Sequence, residues 1–224
     1  MAKKLLFIEN IKNQFSTKSL VLIPIAVGIN LIGGTLCSTL KLPLFLDMIG
    51  TMVVACLSGP WVAALTGFLT NVFLALVANP VNLPYAVVSV LCGLVVGYMV
   101  KAGLFKKWWG VLIVWVVVTL VNAVSASLIT VFVFSGATGI NGTSVLTATL
   151  VVAMKNIFAS VFSSSIIENL LDKGIAVAVA YFIVKKVPKR FLSQYAAGNS
   201  DDSDNSDDSD NSDESDEYDE DSVD

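Results

Sequence analysis

Apolar stretches of roughly 20 residues recur along the first 190 positions of this chain, each long enough to cross about 30 Å of hydrocarbon at about 1.5 Å per residue. The pattern predicts a first span at 19–39 and a shorter second at 45–59, ended by Gly59-Pro60. A third covers 61–78 and stops at Asn79-Pro80; a loop with Asn82 and Pro84 leads to a fourth at 85–103. Trp108 and Trp109 open a fifth that reaches Phe134, as expected of aromatic anchors at a membrane interface. After a turn-rich loop at 135–144 (SGATGINGTS), the last span is placed at 165–184. The stretch 145–162 is apolar enough for a helix, but Lys155 and Asn156 interrupt it. Residues 1–18 carry Lys3, Lys4, Lys12 and Lys18 around Leu5, Leu6, Phe7 and Ile11, and read as a short amphipathic arm on the membrane surface rather than a cleaved signal.

Charge fixes the expected count. The formal net charge of −4 averages two opposite regions. All 14 Lys and Arg lie between Lys3 and Arg190, whereas of 18 acids only Glu9, Asp47, Glu168 and Asp172 precede residue 200. Basic clusters stand before span one, after span four (Lys101, Lys106, Lys107) and after the last (Lys185, Lys186, Lys189, Arg190). If all three are cytoplasmic, four spans separate the first two clusters and an even number must follow. The expected fold class is therefore an all-α integral membrane protein of about six transmembrane helices over 19–190, with both termini cytoplasmic and 145–162 packing without crossing. Residues 191–224 end in the Ser/Asp repeat DDSDNSDDSDNSDESDEYDEDSVD, which repels itself and lacks hydrophobic periodicity, so an acidic, disordered cytoplasmic tail is expected.

Composition agrees: the chain is 55% hydrophobic with a mean hydropathy of +0.76. Cys37, Cys56 and Cys92 sit in apolar segments without paired spacing and read as small buried hydrophobes. The sequence has no histidine, and no phosphate-binding loop, G-x-S-x-G, H-E-x-x-H or C-x-x-C motif. No enzyme, metal or cofactor is expected, nor a nucleic-acid partner, because the lysine clusters are topogenic. Asn141-Gly142-Thr143 matches a glycosylation sequon, a three-residue pattern that arises readily by chance.

Candidate chemistry lies in polar residues within spans, which are costly in hydrocarbon and usually face an interior or a water-filled cavity. Asp47 begins span two, Asn71 is mid-span three, Asn122 is mid-span five, and Lys155 and Asn156 break the ambiguous stretch. Glu168, Asn169, Asp172 and Lys173 cluster on span six, with Lys155–Glu168 a candidate internal ion pair. An outward pocket lined by Asp47, Asn71, Asn122, Lys155, Asn156, Glu168 and Asn169 would suit a small polar metabolite. Small residues permit close helix approach in lipid. Ala26, Asn30 and Gly33 on span one, and Ala63 and Gly67 on span three, are therefore candidates for docking a membrane partner, while Gly93 and Gly97 make a GxxxG for packing within the bundle.

The phrases LIPIAVGIN, LKLPLFLDMIGTMVVACLSGPWVAALTGFLTNV and ENLLDKGIAVAVAYFIVKKVPKRF, in this six-span layout, resemble the substrate-binding S component of energy-coupling factor (ECF) transporters over about 19–192. These are the vitamin-uptake systems common in Gram-positive bacteria. The resemblance implies capture of a vitamin or similar small molecule from outside. It also implies docking through the first helices on a transmembrane coupling component that carries two ATPase subunits, and release by toppling in the bilayer. Family members often carry Ala-xxx-Ala in helix one; here the second Ala is Asn30. No particular vitamin is indicated. The alternative is a membrane sensory domain related to histidine-kinase input regions, which would be expected to continue into an output domain.

Overall fold

Proline, glycine and asparagine set the joints of the chain. In the computed structural model, which describes residues 2–136, 138–139 and 142–187, every regular element is helical. The elements are α1 (Ala2–Gln14), α2 (Thr17–Thr39), α3 (Ile49–Ser58), α4 (Pro60–Val77), α5 (Ala86–Lys101), α6 (Trp108–Phe134), α7 (Thr143–Met154) and α8 (Ile157–Lys186), with 3-10 turns at Pro80–Asn82 and Leu104–Lys106. The expected tail, Lys189, Arg190 and Asn141 lie outside the described residues.

Gly59 joins α3 to α4 at φ 93°, a backbone region only glycine enters cheaply, and Pro60 then starts α4 with its φ already helical. Gln14, at the end of α1, accepts from the Trp61 amide at 3.2 Å and so pins the N-terminal helix to the first turn of α4. Asn79 accepts from the Val81 amide ahead of Pro80. The stretch 145–162 resolves into two helices, because Lys155 turns left-handed at φ 54° and Asn156 caps α8 by accepting from the Ala159 amide. The last helix therefore begins at Ile157, eight residues before the expected Ser165.

Three helices, Thr17–Thr39, Pro60–Val77 and Trp108–Phe134, are long and apolar enough to cross a membrane, and the protein is a multi-pass membrane protein. α3 has 10 residues and α5 has 16; α8 has 30 but carries Glu168, Asp172 and Lys173.

Small residues bring the helices together. A Cβ on Gly67 would stand 2.9 Å from the Ser89 carbonyl oxygen, and one on Gly93 3.0 Å from Ala63, so α4 and α5 meet almost backbone to backbone. A Cβ on Gly50 would sit 2.3 Å from the Ala26 carbonyl oxygen, which sets the α2–α3 contact. Asn30 joins α2, α3 and α4: its Nδ2 donates to Thr51 Oγ1 at 2.9 Å and Thr70 Oγ1 at 3.0 Å, and its Oδ1 accepts from the Gly50 amide at 2.7 Å. The last bond satisfies an amide in the first turn of α3, which has no side-chain cap of its own.

Ala26, Asn30, Ala63 and Gly67 are buried against this chain's own helices, and the loop residue Leu46 covers Gly33. In lipid the outward and inward faces of a helix are both apolar, so small residues alone do not reveal which partner they meet. The outward face of α2 is Val21, Ile25, Ile29, Ile32 and Leu36. Beside it, Gly28 has nothing within 4 Å of where its Cβ would be.

Candidate functional site

Three connections meet at one end of the bundle: residues 40–48, 78–85 and, of the third, the described residues 135, 136, 138, 139 and 142. α7 lies along the first turns of α8 at the same end, with Thr147 and Ser164 hydroxyls 2.8 Å apart. The opposite end carries Lys12, Lys18, Lys101, Lys106, Lys107, Lys185 and Lys186, at the starts of α2 and α6 and the ends of α1, α5 and α8.

Two adjoining chambers open at the loop end, with Phe45, Tyr85 and Ala126 forming a wall common to both. The first encloses about 430 Å³, mouth included, and is lined chiefly by hydroxyls (Thr130, Thr138, Ser144, Thr147, Ser164, Ser165) together with Glu168 and Asn169. The second spans about 410 Å³, open mouth included, and is lined by Asp47, Lys173 and the amides Asn71, Asn82 and Asn122.

The second chamber is built around a buried lysine. Lys173, on α8, is 2% exposed and places its Nζ 2.6 Å from Asp172 Oδ2 and 3.9 Å from Asp47 Oδ1. Asp172 Oδ1 also accepts from the backbone amides of Phe45 at 3.0 Å and Leu46 at 2.7 Å. One carboxylate thus both neutralises the lysine and latches the 40–48 loop to α8. Leu46 turns at φ 48°, which presents the two amides to that carboxylate together.

The asparagines form a second framework. Asn169 Nδ2 donates to the Ser165 carbonyl at 2.8 Å, so its Oδ1 faces α6 and accepts from Asn122 Nδ2 at 2.6 Å. Among the described residues, Asn122 Oδ1 receives only the weak thiol donor of Cys92, at 3.5 Å. Asn71 Nδ2 donates to the Gly67 carbonyl at 3.1 Å and to Ser89 Oγ at 2.6 Å. Tyr85 shares a 2.6 Å hydrogen bond with Thr130 and stacks on Phe134.

Of the residues singled out from sequence, Asp47, Asn71 and Asn122 line the charged chamber, and Glu168 and Asn169 line the hydroxyl chamber. Lys155 and Asn156 do not join them. Both are exposed at the α7–α8 joint, and Asn156 serves as a helix cap. Lys155 is about three helical turns from Glu168, which removes the expected pair between them. The cation that lines the second chamber is Lys173. Sequence reasoning also passed over Phe45 and Tyr85, and it noted Asp172 without assigning it to the pocket. A lysine well inside a hydrophobic segment was the available signal, since such a group must find a carboxylate. No cluster of His, Cys, Asp or Glu able to hold a metal occurs among the described residues.

The family model described as "ECF transporter, substrate-specific component" matches residues 18–184. No curated protein and no solved structure matches the chain.

Proposed function

Because the chain belongs to the family of ECF transporter substrate-specific components, we propose that the two chambers at the loop end are its substrate seat. The protein is the substrate-binding subunit of an importer and not itself an enzyme; the family implies a transmembrane coupling component and ATPase partners that supply the energy. The sensory alternative gains no support from this match.

One observation carries the assignment to the chambers. Asp47, Asn71, Asn122, Glu168 and Asn169 come from the 40–48 loop and from α4, α6 and α8, yet they line two cavities that share a wall. These cavities open at the end opposite the lysine clusters. By the positive-inside rule that end is extracellular and both termini are cytoplasmic, with the acidic segment 191–224 following on the cytoplasmic side. In this reading α2, α3, α4, α5, α6 and α8 make six crossings, and the α7 hairpin stands over the seat. The cargo is a small polar metabolite of vitamin size, with Asp47, Asn71 and Asn122 at one end of it and Glu168 and Asn169 at the other.

For partner docking, the open notch at Gly28 within the outward apolar face of α2 replaces the buried Ala26–Asn30–Gly33 and Ala63–Gly67 stripes. A mid-helix glycine costs about 1 kcal/mol relative to alanine, and nothing among the described residues uses the space at Gly28.

The test is a mild-detergent purification of tagged protein from native membranes, with mass spectrometry of the proteins that come with it. Recovery of a coupling membrane protein together with ATPase subunits supports the reading. Recovery of a kinase or response regulator without ATPases overturns it.

A further inference from the structure

The charged chamber has a surplus of acceptors. Asp172 makes a close ion pair with Lys173 and receives two backbone amides, so its needs are met inside the protein. Asp47 has the same lysine at 3.9 Å, beyond hydrogen-bond length, and a hydrogen bond from its own backbone amide, and its side chain is 16% exposed where it lines the cavity. With both carboxylates ionised, two against one ammonium give the cluster a net charge of −1. Lys173 is the only basic side chain among the described residues of that lining. A net charge in a site of low dielectric constant is costly until a cation or a proton balances it.

A second, independent observation lies across the same cavity. Asn71 is 1% exposed, and both of its Nδ2 contacts are fixed, because the Gly67 carbonyl can only accept. That leaves Asn71 Oδ1 without a hydrogen-bond partner among the described residues, on a side chain that lines the chamber. Asn122 Oδ1 is close to the same condition, holding only the Cys92 thiol. An amide oxygen that faces a cavity takes its donors from water or a ligand. The aromatic rings of Phe45 and Tyr85 complete the wall, and ring faces attract cations.

We infer that the charged chamber accepts a cationic N–H donor, a protonated amine or amidinium carried on a small flat ring. Its positive group meets Asp47, its remaining N–H groups meet Asn71 Oδ1 and Asn122 Oδ1, and its ring lies beside Phe45 and Tyr85. The hydroxyl chamber beyond the shared wall takes whatever hydroxylated or otherwise neutral polar extension the molecule carries. This assignment rests on the transport reading of the same chambers and narrows it to a class of cargo.

The test uses the full-length protein in lipid nanodiscs and three isosteric probes: benzamidine (cation), benzamide (neutral) and benzoate (anion). Ligand-observed NMR titrations in the millimolar range read binding to wild type and to Asp47→Asn. The expected result is benzamidine binding at least tenfold tighter than either isostere, with Asp47→Asn reducing it at least tenfold toward the benzamide level. Equal or stronger binding of benzamide or benzoate, or no benzamidine binding, overturns the proposal. So does full benzamidine affinity in Asp47→Asn, which would mean that a proton, not a ligand, balances Asp47. The wild-type comparison stands even if the variant does not fold. Failure here with intact recovery of the coupling protein and ATPases removes the cargo class alone, whereas failure of that recovery removes the transport reading.

Discussion

Replacing Asn30 with leucine separates two roles for the α2 stripe. If Asn30 served a partner, Asn30→Leu would leave the isolated protein as stable as wild type and weaken only its assembly. The structure demands the opposite. The substitution removes the acceptor for the Gly50 amide, a buried donor in the first turn of α3, and an unsatisfied buried donor costs about 1–3 kcal/mol. It also removes the two bonds to Thr51 and Thr70, and side-chain hydrogen bonds inside membrane proteins average about 0.6 kcal/mol each. The expected loss is about 3 kcal/mol, on the order of a hundredfold in the folding equilibrium. Reversible unfolding in mixed micelles with a rising fraction of denaturing detergent, followed by tryptophan fluorescence, measures it. A loss below about 0.5 kcal/mol would refute the account, since it would mean that the three bonds contribute no more than a surface contact.

Two other α2 and α4 positions extend this contrast. Gly67→Leu is expected to lower stability by at least about 2 kcal/mol, because its Cβ would press within 2.9 Å of the Ser89 carbonyl oxygen; a normal thermal midpoint would overturn the α4–α5 packing described here. Gly28→Leu is expected to leave the midpoint unchanged while cutting co-purification of the coupling component several-fold, and unchanged recovery would place docking elsewhere. Asp172→Leu removes the latch on the 40–48 loop and strands Lys173, so amide hydrogen exchange at Phe45 and Leu46 should accelerate by more than tenfold; unaltered exchange would show that the carboxylate does not hold the loop. Lys155→Ala, at an exposed joint, is expected to change neither stability nor ligand binding, and a loss of binding would return Lys155 to the site.

Helix positions were legible where chain chemistry leaves no choice. Gly59-Pro60, Asn79-Pro80 and Trp108 all mark boundaries in the structure as they do in the sequence. The sequence marks Lys155 and Asn156 as an interruption of the apolar stretch 145–162 without indicating where the last helix starts. Asn156 is a helix cap, a role its residue type could have suggested. The pocket was legible in part for a similar reason: Asp47, Asn71 and Asn122 are expensive in hydrocarbon, and expense is visible in a sequence. The inward turn of Ala26, Asn30, Ala63 and Gly67 was not, since nothing polar marks the outer face of α2 as outer. Nor was the pairing of Lys173 with Asp47, which brings together groups 126 positions apart in the chain.

The shortness of α3 has a consequence for the surrounding lipid. If α3 is one of the six proposed crossings, its ten residues rise about 15 Å, half of a typical hydrocarbon core, and the rest of that crossing falls to the preceding 40–48 connection, which carries Leu42, Leu44, Phe45 and Leu46. Acyl chains beside α3 must therefore shorten, tilt or retreat, while those beside the 27-residue α6 need not. On that topology the protein would sit in a lopsided annulus, thin on one flank and of full depth on the other. Bilayer thickness would then act on the flank that carries Asp47, with longer acyl chains squeezing the 40–48 connection and shorter ones relaxing it.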